Sequence, residues 1–131
     1  MKTSTQELQT IAKSIRKDII RMIYKAGSGH PGGSLSATEI LVALYFEILE
    51  ENDRFFLSNG HVCPALYAVM AEKGLISKDD LGTYTELGSA LQGHPERTKL
   101  KDIMNTSGPL GLGLAQAAGY AAIKKDSFVF C

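Results

Sequence analysis

From Leu8 onward apolar residues recur at helical intervals, at Leu8, Ile11, Ile15, Ile19, Met22, Ile23 and Ala26, with polar and charged residues between them. Steps of three and four place this set on one face of a helix, the mark of an element that packs against a core. Ser4 and Glu7 form an S-x-x-E capping box ahead of the run and Gly27 closes it, so the pattern predicts about six turns with a defined start and stop. A second helix is expected from Ser36, with Glu39 completing another capping box and Leu35 and Ile40 as its hydrophobic staple. It would run through Leu41, Leu44, Tyr45 and Ile48 to about Glu50.

Beyond Glu51-Asn52-Asp53 the pattern changes. Residues 54–58, with Phe55, Phe56 and Leu57 in sequence, read as a short buried strand. Pro64 suits a first helical turn, and Ala65, Leu66, Val69 and Met70 carry a third helix to Gly74. Ser77 with Asp80 begins a shorter helix ending near Leu87, 88–96 is an open loop, and 98–102 is polar and exposed. The glycine-rich stretch 105–115 predicts a turn at Gly108-Pro109 and then a helix lined with small residues, Gly111, Gly113, Ala115, Ala117, Ala118 and Gly119. Such a stripe suits a tightly packed buried helix or the wall of a cofactor site. Residues 127–131 read as a strand buried on both faces. The chain is thus mostly α-helical with a few short strands.

A length of 131 residues fits one domain with a core of its own. Lys plus Arg and Asp plus Glu each number 14, so no basic surface points to nucleic acid. No apolar run is long enough to span a bilayer, and the first 25 residues do not have the form of a signal peptide, which leads us to expect a cytoplasmic protein. Cys63 and Cys131 lack CxxC spacing and read as plain thiols.

The candidate chemistry lies in the histidines. All three, His30, His61 and His94, directly follow a glycine. At ordinary glycine abundance this has odds of about one in a thousand, so the three loops read as one constellation. His30 sits in Ser28-Gly29-His30-Pro31-Gly32-Gly33-Ser34, and His61 precedes the helix start at Pro64, where free backbone N–H groups favour an anion. Two chemistries remain open: a three-histidine zinc site, and a polar pocket whose imidazoles bind phosphate or hydroxyl oxygens and relay protons. The later glycine-rich stretch is no dinucleotide fingerprint, because the third glycine of GxGxxG would fall at Gln116, and no Gly-Lys-Ser/Thr makes it a P-loop.

Four segments come in the order of the successive motifs of transketolase: Ser28-Gly29-His30-Pro31-Gly32, Asp53-Arg54-Phe55-Phe56-Leu57-Ser58-Asn59-Gly60-His61, Gly93-His94-Pro95-Glu96 and Thr106-Ser107-Gly108-Pro109-Leu110-Gly111. Over nearly its whole length the chain closely resembles the start of the diphosphate-binding domain of that family. The resemblance implies an α/β fold, an incomplete thiamine-diphosphate-binding fold, with residues 1–131 as one truncated domain. It implies thiamine diphosphate with Mg²⁺ as cofactor and transfer of a two-carbon ketol unit from a ketose phosphate to an aldose phosphate. By resemblance His61 would contact the diphosphate, His30 and His94 would reach hydroxyl and carbonyl oxygens of the donor sugar, and Gly108, Pro109 and Leu110 would line the cofactor. Cys63 stands where the family usually has a small residue, and Leu112 where it commonly has glutamine. The family's Gly-Asp-Gly motif, which with a later asparagine binds the metal, and its activating glutamate have no counterpart here. A complementing transketolase chain is therefore expected to supply them, or the chain to form a homo-oligomer that covers its unpartnered apolar helix faces, and the isolated chain is expected to be inactive. The other expectation is a non-catalytic remnant that serves as a self-associating or partner-binding module.

Overall fold

The computed structural model describes residues 3–124 and 126–131. The first helix, α1 (Thr5–Ala26), starts as its capping box predicts: Glu7 N–H donates to Ser4 Oγ at 3.3 Å and Ser4 N–H donates to Glu7 Oε2 at 2.8 Å. Gly27 ends it in the left-handed region at φ 65°. Ala12, Ile15, Ile19 and Met22 form its buried face, and Leu8, Ile11, Ile23 and Ala26 pack beside them. Burying one isoleucine side chain is worth about 1.5–3 kcal/mol, so this face holds α1 far more strongly than its propensity does.

That face packs against α4 (Cys63–Glu72), the axis of the molecule. Every residue of α4 from Cys63 to Ala71 is buried, which is why its sequence is apolar all round rather than striped. Pro64 lies in its first turn, and beyond its end Gly74 takes φ 80°.

The segment between α1 and α4 departs from expectation. The second helical run begins at Pro31, five residues before Ser36, as α2 (Pro31–Ser36), then passes through Ala37 into α3 (Thr38–Ala43). The capping box at Ser36 and Glu39 does not form. Ser36 Oγ donates to Gly33 O at 3.1 Å, while Glu39 pairs with Arg16 of α1 at 2.7 Å, and Arg16 also donates to Leu35 O. The staple is absent too, since Ile40 is exposed. Proline fixes the φ that a first helical turn requires and needs no N–H partner, so Pro31 starts the helix earlier than the serine could. The run closes in a π turn, Leu44–Ile48, with Leu49 N–H donating to Leu44 O at 2.8 Å.

Strand β1 is confined to Arg54–Phe55 and pairs in parallel with β2 (Val129–Phe130), Arg54 opposite Val129 and Phe55 opposite Phe130. Phe56 and Leu57 are buried as expected, yet the strand does not continue to residue 58. The Asn105 side chain takes the place of a neighbouring strand: Leu57 N–H donates to its Oδ1 at 3.1 Å and its Nδ2 donates to Leu57 O at 3.2 Å. β2 is half-buried rather than buried on both faces, and Phe128 before it is 75% exposed.

α5 (Leu112–Ile123) precedes β2. It buries only Gly113 and Ala117 and leaves Leu112, Leu114 and Ile123 exposed, so it is not the enclosed helix its small residues suggested. With two short strands, the sheet offers a second layer too narrow to cover it. The helix expected over 77–87 is a 3₁₀ turn, Asp79–Thr83, although Ser77 N–H does donate to Asp80 Oδ2 at 3.2 Å. Among the described residues no helix is long and apolar enough to cross a membrane.

Candidate functional site

The carboxyl end of β1 leads through Ser58-Asn59 into a 3₁₀ turn, Gly60–Val62, which feeds directly into α4. His61 sits in this turn, half-buried. His30, at the N-terminal cap of α2, brings its ring edge-on to that of His61, with centroids 5.2 Å apart and planes at 65°. α2 comes equally close to the turn: a Cβ on Gly33 would lie 4.0 Å from His61 Nε2. His94 arrives from the other side, where its Cδ2 would stand 3.0 Å from a Cβ on Gly60. Gly60 is therefore the point that lets two loops close on a third, because any side chain there would displace His94.

Ser107 shares this contact. Its Oγ would lie 2.5 Å from the same Cβ, is buried, and has no hydrogen-bond partner among the described residues. Ser107 N–H donates to Pro95 O at 3.1 Å and Arg97 N–H donates to Thr106 Oγ1 at 3.1 Å, so the stretch from Asn105 to Ser107 runs beside the third histidine loop. Asn105 fixes the same stretch to Leu57.

The loop carrying His94 is fastened to α4. Tyr67 OH donates to Gln92 O at 2.8 Å, and Cys63 S–H is directed at Gly93 O, 3.2 Å away, and at Gln92 O, 3.6 Å away. Burial pushes the Cys63 thiol up to about 12, so near neutral pH it is a donor and not a nucleophile. Burial likewise raises the phenols of Tyr67 and Tyr84, whose rings meet edge to face with centroids 6.2 Å apart.

Gly108, Pro109 and Leu110 stand at the flank of this centre. A Cβ on Gly108 would meet nothing within 4 Å, and Leu110 is 74% exposed. The turn is centred on Leu110-Gly111, two residues later than expected, with Leu112 N–H donating to Pro109 O at 3.4 Å and Gly111 at φ 85°. Leu110 borders a shallow recess of about 520 Å³ with Ser58, Asn59, Leu114 and Cys131, and none of the histidines reaches it. Among the described residues no three His, Cys, Asp or Glu side chains are placed to share a metal ion, which removes the three-histidine zinc reading.

The structure thus gathers His30, His61 and His94 about one turn. Sequence reading missed Asn105 and Ser107, and it saw Cys63 as a plain thiol and a departure from the family's usual residue. The signals were a lone amide and a hydroxyl ahead of a glycine run, and a thiol and a phenol four residues apart on an otherwise apolar helix.

The loops carrying the histidines gather beyond the carboxyl end of β1, the edge at which open α/β sheets generally take their ligands. The chain belongs to the transketolase family: residues 7–129 match the family's thiamine diphosphate binding domain. It is 39% identical over 134 residues to one component of the apulose-4-phosphate transketolase of Phocaeicola vulgatus, covering 95% of this chain and 47% of that protein. It is 41% identical over 130 residues to one component of the 6-deoxy-6-sulfo-D-fructose transketolase of a Clostridium species, covering 92% of this chain and 47% of that one. A solved transketolase from Campylobacter jejuni superposes with a TM-score of 0.82 at 35% identity, over 91% of this chain and 20% of the other. The chain spans about half the length of the first two relatives and a fifth of the third.

Proposed function

We propose that this chain is the diphosphate-binding component of a transketolase that moves a two-carbon ketol unit from a ketose phosphate to an aldose phosphate, working with a complementing chain. The observation that carries the reading is the 3₁₀ turn beyond β1, where the His61 ring meets that of His30 with centroids 5.2 Å apart and His94 lies against Gly60. Relatives named as subunits of transketolases support the need for a second chain.

The residues present fit a diphosphate and a sugar. Imidazole donors, the start of α4, the bare backbone at Gly108 and the unpartnered Ser107 hydroxyl all suit ligand oxygens. When bound, thiamine diphosphate supplies the carbon nucleophile that carries the ketol unit. His61 holds a diphosphate oxygen beside the start of α4, while Gly108, Pro109 and Leu110 present backbone at the flank. His30 and His94 donate to hydroxyl and carbonyl oxygens of the donor sugar and relay protons between them, stabilising charge as it develops. A Mg²⁺ ion beside the diphosphate would offset its charge, because two phosphate charges need a cation close by.

Titration calorimetry of thiamine diphosphate with Mg²⁺ tests this. The chain alone is expected to show no saturable binding, and binding with ketol transfer is expected once the complementing chain is added. Saturable binding by the chain alone would overturn the division of labour. No binding in the mixture would leave a partner-binding module, a reading that the exposed apolar residues of α5 favour.

A further inference from the structure

We propose that Cys63 and Tyr67 are positioning residues for His94, acting through the carbonyls of Gln92 and Gly93. The inference rests on reading His94 as part of the site.

Four residues apart, Cys63 and Tyr67 occupy one face of α4, the most enclosed helix in the molecule. Gln92 O, with two lone pairs, receives Tyr67 OH at 2.8 Å and lies 3.6 Å from the Cys63 sulfur, while Gly93 O lies 3.2 Å from it. The two carbonyls just before His94 are thereby tied to a rigid element, and the imidazole inherits its direction. Tyr84, whose hydroxyl lies 3.9 Å from the same sulfur, closes the cluster from the start of the loop. Cys63→Ala would fill space but donate nothing, leaving the flexible Gly93 without that anchor. Buried and neutral, the thiol has no competing solvent or charge to draw its proton away.

NMR of the three imidazoles in the full chain, labelled at histidine, tests this without any assay of catalysis. In C63A and Y67F the ring signals of His94 are expected to move while those of His30 stay. Exchange of the Gly93 and His94 amides should rise about fivefold, the scale of one lost net hydrogen bond. C63S, which restores a donor of smaller size, should return both readouts toward the parent. Should C63A fail to fold, Y67F removes only one oxygen and carries the same comparison. His94 signals unmoved in both variants, His30 moving equally, or C63S matching C63A would each overturn the proposal, since packing alone would then account for the cluster. Failure of the transketolase reading would look different: no cofactor bound in the mixture, with the His94 shifts of C63A and Y67F still present.

Discussion

Gly113 of α5 lies so close to Ser58 that a Cβ on it would stand 2.5 Å from the Ser58 Cα. Backbone meets backbone here, and neither can yield as a flexible side chain would. Gly113→Ala is expected to lower stability by about 1–3 kcal/mol, outweighing the gain of up to about 1 kcal/mol in helix propensity. Gly119→Ala, where the new methyl meets nothing within 4 Å, should show that gain unopposed. Urea denaturation of the two variants checks the opposite signs.

Gly60→Ala would place a methyl 2.5 Å from Ser107 Oγ and 3.0 Å from His94 Cδ2. Turn and loop must part to accept it. The expected outcome is a stability loss of about 1–3 kcal/mol together with weakened thiamine diphosphate binding in the mixture with the complementing chain. Denaturation and calorimetry on the same preparation measure the two effects.

Asn105→Ala would leave both Leu57 N–H and Leu57 C=O without a partner in a buried setting. The expected cost is about 3 kcal/mol. Asn105→Asp keeps the acceptor but turns a carboxylate toward the Leu57 carbonyl, so its stability deficit should shrink on acidification, when a protonated carboxyl can donate again. Thermal denaturation at pH 7 and pH 4 distinguishes the two substitutions.

Alkaline pH should weaken the fold. The Cys63 thiol is raised by burial from 9.0 to about 12, so between those values the unfolded chain loses its proton while the folded chain keeps it. The folded state then binds more protons and stability falls as pH rises, by up to about 1.4 kcal/mol per pH unit for such a group. Its contribution is complete below pH 9 and gone above about 12. Buried Tyr67, also raised by burial, adds to the same trend. C63A should show a shallower decline than the parent in denaturant midpoints measured across this range.

What the sequence made legible was local. The Ser4 and Glu7 cap, the apolar face of α1 and the helix begun at Pro64 follow from local signals, because each depends on residues a few positions apart. The convergence of three Gly-His pairs could be expected from their shared form. The start of the second helix was misjudged because two signals competed within six residues: Pro31 won, and Arg16 from a distant part of the chain drew Glu39 away. Strand lengths were overread because an apolar run reports burial, and Phe56 and Leu57 are buried without strand partners on both sides. Asn105 as a substitute for a strand, and Cys63 as an anchor, both rest on contacts between distant segments that no local pattern encodes.

The pairing of β1 with β2 joins Phe55 to Phe130 across almost all the later part of the chain. Closing so large a loop costs entropy before its few hydrogen bonds can form, whereas α1 and α4 assemble through a broad apolar contact. The strand pair should therefore knit last during folding and fray first under stress, making the bond from the Phe56 amide to Phe130 O, 2.8 Å long, an early casualty and the histidine turn beyond it the place where such loosening is first felt.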